Sequence, residues 1–235
     1  MSLSTPTHLL QVCRTCGGGA PVDVHFCPSC TKILALGRQG DYFSFLGVPR
    51  KLNVDPVRLE QNFRTLSRQF HPDYFYNATP TERRASLERS SYLNEAYRTL
   101  KQPAARVSYL LEVEGALQPS DHDAGKKVPA SLLEEVFALN EELDEVRALR
   151  NSNAPEAEWR ARLAAAAVPI EQKRADHESQ LRELSDRWDA LADDDAGGRT
   201  SVLAALRERV LERNYINNLL ATIEREATGV GGPQL

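Results

Sequence analysis

Four cysteines fall in two short pairs, Cys13-x-x-Cys16 and Cys27-x-x-Cys30, with ten residues between the pairs and no other cysteine in the 235-residue chain. Each C-x-x-C turn aims two thiolates the same way, so the two turns together supply four sulfurs to one tetrahedral ion. Such a site is closed and has no open position for catalysis. It suits zinc, with iron in a rubredoxin-like S4 arrangement as the competing metal. Gly17 eases the first turn and Pro28 stiffens the second. The expected role is structural, since the segment is too short to bury an apolar core of its own. A redox C-x-x-C fits one pair rather than two, and clustered cysteines exclude a distributed disulfide framework. His25 is expected at the surface or behind the ligands rather than as a ligand. A second group is His71-Pro72-Asp73. On bare chemistry His71 is a candidate general base with Asp73 to orient it, but no Ser or Cys nucleophile accompanies them in sequence. Neighbouring side chains in a proline-centred turn point apart, so the tripeptide reads poorly as a catalytic dyad.

The elements that position these residues are helical. Leu59, Phe63, Leu66 and Phe70 step by 4, 3 and 4 along one helix face, after Asp55 as N-cap and Pro56 at the first helical position. That helix should end before Pro72. A second is predicted from Thr79 or Thr81 to Lys101, with Leu93, Ala96, Tyr97 and Leu100 as its stripe, and a shorter one after Pro103. Residues 118–128 carry Pro, Gly and Asp without apolar period and read as part of a linker. Beyond it, positions 132, 136, 139, 143 and 146 form a heptad-like face. Trp159, Leu163, Ala166 and Ile170 form another, continued by Leu181, Leu184, Trp188 and Leu191, with Pro169 expected to kink or interrupt it. A last helix is predicted from Arg199, after Gly197-Gly198, to Glu226, and residues 229–235 read as a loose end. Strand signals are confined to the cysteine region. Hydrophobic residues make up 41% and charged residues 26% of the chain, enough for a packed core. No apolar run approaches the ~20 residues that cross a bilayer, and the N-terminus lacks secretory-signal features. A net charge of −4 excludes a basic nucleic-acid binder as a whole-chain description.

Around the tripeptide lie YFSFLGV (residues 42–48), a basic amphipathic helix ending in RQFHPD, and a helix containing NEAYRTLKQP. This combination closely resembles the J-domain of DnaJ-type co-chaperones. The run SSYLNEAYRTLKQPAARVSYLLEVEG and the acidic helix SLLEEVFALNEELDEV narrow the resemblance to HscB, the J-domain co-chaperone family of iron-sulfur cluster biogenesis, in the variant with a tetracysteine module. Tyr74 departs from the Lys that follows HPD in many J-domains. The resemblance implies a mainly α fold with a small zinc ribbon at 10–36, a J-domain helical hairpin at 41–115, a linker at 116–128 and a three-helix bundle at 129–228. It further implies a non-enzymatic adaptor that stimulates a DnaK/HscA-type ATPase and brings it the scaffold IscU.

The implied chaperone-binding residues are His71, Pro72 and Asp73 with Arg64, Arg68 and Arg58, which project away from the Leu59/Phe63 stripe. A solvated basic face is the other reading of those arginines. Leu133 and Phe137 fall ~100–140° from Leu132 around the acidic helix, beyond the centre of its core stripe. They are either exposed anchors or packed on the third helix or the J-domain. Residues 131–146 hold six carboxylates and no Lys or Arg, which suits a basic-rimmed partner. The positions matching the family's scaffold-binding pattern are Leu133, Phe137, Glu141 and Glu145, with Tyr215 as a neighbour, while Glu134 and Ala138 depart from it. The competing function is a zinc-ribbon nucleic-acid-binding adaptor. It is disfavoured because residues 13–30 carry only Arg14 against Asp23 and lack aromatic-basic interleaving. No membrane partner is expected, and the placement is the bacterial cytoplasm, with the mitochondrial matrix as the alternative. Docking of the zinc module on the J-domain, a homodimer through it, and contact with a partner all stay open.

Overall fold

A computed structural model describes residues 10–22, 24–36, 40–117 and 128–228. The chain divides into two compact units between Val113 and Glu114. Most of the stretch read as a linker, and the terminal 229–235, lie outside the described residues, although Leu117 at the edge of that stretch is buried.

The first unit opens on β1 (Leu10–Val12) and β2 (Gly19–Pro21), an antiparallel pair in which Gln11 faces Ala20. After α1 (Tyr42–Phe45), capped by Asp41, comes α2 (Pro56–Phe70), with Asp55 Oδ1 accepting from Val57 N at 2.9 Å. A 3-10 turn (Pro72–Phe75) leads to α3 (Pro80–Lys101), and α4 spans Pro103–Val113. Helix α3 begins where Thr79 and Glu82 cap each other reciprocally, which satisfies two of the amides that every helix start leaves open. Its other neighbours are α1, α2 and α4, so α3 is the central element. Phe63 stacks on Tyr97 at 4.1 Å between centroids, joining α2 to α3. Leu59, Phe70, Leu93, Ala96 and Leu100 are buried as their spacing requires.

In the second unit a 3-10 turn (Ala130–Leu132) enters α5 (Leu133–Asn151), followed by α6 (Glu156–Ala190) and α7 (Ala196–Thr228). Leu132, Leu139, Leu143 and Val146 of the heptad face join Leu163, Ile170, Ile216, Leu219 and Ile223 in one core. Farther along, Leu181, Trp188, Val202, Leu206 and Val210 are buried. Two local expectations are refined. Of the two outcomes expected at Pro169, interruption does not occur: α6 runs through it for 35 residues, with Leu163 and Ile170 on either side anchored in the core while Pro169 itself is exposed. Helix α7 starts at Ala196 and takes in both glycines. Asp195 Oδ1 accepts from Gly198 N at 2.9 Å as an N-cap, and a Cβ at Gly198 would push aside the Asp195 carboxylate that makes this cap and the Leu191 side chain.

Candidate functional site

Three features carry the functional reading, two in the first unit and one in the second.

The four cysteines converge. Their Sγ atoms all lie within 4.8 Å of one another, with Cys13–Cys30 and Cys16–Cys27 each at 3.7 Å. Tetrahedral ligation at a metal–sulfur distance near 2.3 Å requires sulfurs about 3.8 Å apart, so the residues fit one ion. Sulfurs at 3.7 Å are not disulfide-bonded. The two turns repeat one geometry. Cys13 N donates to Gly18 O and Gly17 N to Cys13 O, both at 2.8 Å; Cys27 N donates to Lys32 O at 2.9 Å and Thr31 N to Cys27 O at 2.8 Å. The fifth residue of each turn is left-handed, Gly17 at φ 74° and Thr31 at φ 59°. Amides of Cys16 and Thr15 hold the Cys13 thiol down to about 6, and the Cys30 and Ser29 amides lower Cys27. At Cys30 the Lys32 amide pulls downward, but burial and the hydrogen bonds it makes to the Cys16, Cys27 and Cys13 sulfurs outweigh it and push the thiol up to about 12. Such a cluster becomes fully ionised only with a cation at its centre.

The module is fastened to the helices by Arg89 of α3, only 2% exposed. Its guanidinium donates to Leu34 O at 2.7 Å and Ala35 O at 3.1 Å, and its Nη1 lies 2.8 Å from His25 Nδ1. Burial lowers Arg89 to about 10, so it stays charged at neutral pH. His25 is thus an anchor of the module on the helices, and its ring meets Phe45 and Phe70 edge-on at 4.8 and 5.0 Å. Sequence reasoning missed Arg89. The signal was present: Ala85, Ser86, Arg89, Leu93 and Ala96 share the buried face of α3, and a charged residue inside such a stripe needs partners.

The His71-Pro72-Asp73 turn is exposed between α2 and α3. Asp73 N donates to His71 Nδ1 at 3.4 Å, and Asp73 Oδ2 lies 3.5 Å from the same nitrogen. Tyr74 and Tyr76 beside it are 75% and 79% exposed. Arg58, Arg64 and Arg68 all lie on the open side of α2. Arg64 is paired with Glu60 at 2.5 Å, whereas Arg58 and Arg68 form no ion pair among the described residues.

On α5, Leu133 is 42% and Phe137 67% exposed, while Leu132, Leu139 and Leu143 on the same helix are buried. Glu141 is exposed, and Glu145 lies 3.7 Å from Arg162 of α6, which also bonds Glu142 at 2.9 Å. The entry to α5 is tied down from both neighbours: Ser131 Oγ, in the preceding 3-10 turn, donates to Glu212 of α7 at 2.5 Å, and Lys173 of α6 pairs with Glu135 in the first turn of α5 at 3.0 Å. Tyr215, one turn after Glu212, is half-buried against the bundle core.

Residues 41–109 match the DnaJ domain family. "Iron-sulfur cluster co-chaperone protein HscB" of Homo sapiens is 35% identical over 136 residues, 57% of each chain. The Mus musculus protein of the same name is 31% identical over 153 residues, 64% of each. The matched stretch therefore spans less than two thirds of these relatives. The crystal structure of human co-chaperone protein HscB superposes with a TM-score of 0.68 at 25% identity, covering 94% of this chain and 100% of that one. Chaperone HscB from Vibrio cholerae gives 0.58 at 26% identity over 81% and 100%. The chain thus carries a DnaJ domain at residues 41–109 and four cysteines placed to hold a metal ion, and over 57–64% of its length it is similar to HscB co-chaperones.

Proposed function

We propose that this protein is a non-enzymatic co-chaperone that stimulates the ATPase of a DnaK/HscA-type chaperone and delivers an IscU-type scaffold to it, promoting transfer of the iron-sulfur cluster. The observation that carries this reading is the pairing, on two separate units, of an exposed HPD turn beside the exposed arginines of α2 with an exposed apolar patch bordered by carboxylates. The first suits an acidic docking surface on a chaperone. The second suits an apolar, basic-rimmed partner, since exposed large apolar side chains amid charge mark interaction sites. His71, Pro72 and Asp73 with Arg58, Arg64 and Arg68 engage the chaperone; Leu133, Phe137, Glu141 and Glu145, with Tyr215 beside them, engage the scaffold. ATP hydrolysis belongs to the chaperone. Cys13, Cys16, Cys27 and Cys30 hold zinc, which when bound fixes the fold of residues 10–36 and does no chemistry; visible absorption from bound iron would contradict that choice of metal. No helix among the described residues is long and apolar enough to cross a membrane. The reading places the protein where such scaffolds are built, in a bacterial cytoplasm or a mitochondrial matrix.

The test is ATPase stimulation of a cognate DnaK-type chaperone with and without purified scaffold. Stimulation by the protein alone, increased when scaffold is added, is expected. No effect in either case would overturn the reading.

A further inference from the structure

The second cysteine turn abuts both ends of the HPD turn. At the first end stands Phe70, the residue before His71 and fully buried. Its ring meets His25 at 5.0 Å and Phe26 at 6.1 Å, and its carbonyl accepts from Ser86 Oγ at 2.7 Å and Ser90 Oγ at 2.8 Å. At the far end stands Glu82, which closes the cap of α3 by accepting from Thr79 N at 3.1 Å and Thr79 Oγ1 at 2.8 Å. Lys32 Nζ lies 3.0 Å from the other oxygen of the same carboxylate. The Thr79 hydroxyl and then Lys32 hold Glu82 below the usual carboxylate range. Between the two ends Arg89 commits its guanidinium to Leu34, Ala35 and His25 and lies over the rings of Phe45 and Phe70 at 5.8 and 5.6 Å.

All the module residues in these contacts belong to one short loop, whose shape is set by Cys27 and Cys30. Cys27 N bonds Lys32 O, and Leu34 N bonds His25 O at 3.0 Å, with Phe26 and Ile33 bridged between them. Within the HPD turn Tyr74 N donates to His71 O at 3.0 Å, and Arg83 Nη1 donates to Tyr76 O and Ala78 O at 3.3 and 3.2 Å, while the His71–Asp73 side-chain contacts are long and exposed. These local bonds shape the turn, and the anchors at its two ends fix where it sits.

We propose that the tetracysteine module is a brace for the HPD turn, in which His25, Lys32 and Arg89 are positioning residues that fix the end of α2 and the start of α3. This rests on the co-chaperone reading above. An ordered second cysteine turn is then a condition for full action on the chaperone.

The test uses full-length, metal-loaded protein carrying Lys32→Ala, Lys32→Arg or Arg89→Ala. Amide exchange over residues 71–82, the concentration giving half-maximal chaperone stimulation, and bound metal are measured on each. Lys32→Ala removes a partly exposed ion pair, so exchange and the half-maximal concentration should both rise about two- to fivefold with metal retained. Lys32→Arg should restore both. Arg89→Ala should raise both about tenfold or more. A rise in exchange confined to residues 71–82, rather than spread over the first unit, is not expected of Lys32 acting as mere surface charge, and the Lys32 variants still decide the matter if Arg89→Ala does not fold. Unchanged exchange and unchanged half-maximal concentration in metal-loaded Lys32→Ala would overturn the brace. Failure of the unaltered protein to stimulate the chaperone would instead overturn the co-chaperone reading, and the exchange data would still judge the brace.

Discussion

The HPD turn and the α5 patch are both open to solvent, yet they are held in opposite ways. The patch is a consequence of helical periodicity. Leu132, Leu139, Leu143 and Val146 bury one face of α5, and Leu133 and Phe137 are left outside it by ~100° of rotation per residue. The HPD turn owes nothing to periodicity. Its position comes from a buried phenylalanine before it, a reciprocal helix cap after it, and a cysteine module set against both. A regular face tolerates change at its exposed positions, because the core behind it does not depend on them. A turn held from its ends is sensitive to residues that lie far from it in sequence.

The largest effect expected from this contrast is that of metal removal. Chelation should unfold residues 10–36 and loosen the HPD region, because thiolate ligation is coupled to local folding. The bundle should be spared, and it carries both tryptophans, Trp159 and Trp188. Tryptophan emission should therefore stay constant while amide protection in the first unit falls; a parallel loss of both signals would remove the distinction between the two regions.

Next in size is a pair of substitutions on α5. Leu139→Ala opens the bundle core and should cost about 2–5 kcal/mol in thermal or denaturant unfolding. Leu133→Ala with Phe137→Ala should leave the melting temperature unchanged and weaken scaffold binding by about 2 kcal/mol or more, roughly thirtyfold. Titration calorimetry with purified scaffold checks the second half. Loss of stability with unchanged affinity would assign Leu133 and Phe137 to the core.

A smaller effect sharpens the comparison within the module. Thr31 takes the left-handed conformation that Gly17 takes in the matching turn, and a β-branched residue is strained there. Thr31→Gly should relieve about 1 kcal/mol, and a higher chelator concentration should be needed to unfold the module. An unchanged or lower requirement would mean that the hydroxyl, which donates to Cys30 O at 2.7 Å, matters more than the backbone.

Much of this was legible from residue types and spacing. The steps of Leu59, Phe63, Leu66 and Phe70, the Asp55-Pro56 start and the four cysteines announced α2 and the metal module. The heptad of α5 separated its core from its exposed side chains. What was not legible depends on contacts distant in sequence or on one local rule overridden by another. Arg89 reaches backbone carbonyls 55 and 54 residues away, and a carbonyl has no sequence signature. Pro169 is carried inside α6 without interrupting it, between two residues anchored in the core. Gly197 and Gly198 read as a break, but a cap at Asp195 and close packing on Leu191 draw them into α7. Thr31 carries no mark of its backbone conformation beyond its place in the second cysteine turn.

The most direct measurement of the central claim is chaperone ATPase stimulation by full-length His71→Gln, with scaffold affinity measured on the same sample. His71 is exposed and lies outside every core, so the variant should fold normally. The account predicts that stimulation is abolished while scaffold binding and melting temperature are unchanged. Undiminished stimulation by the folded variant would contradict it.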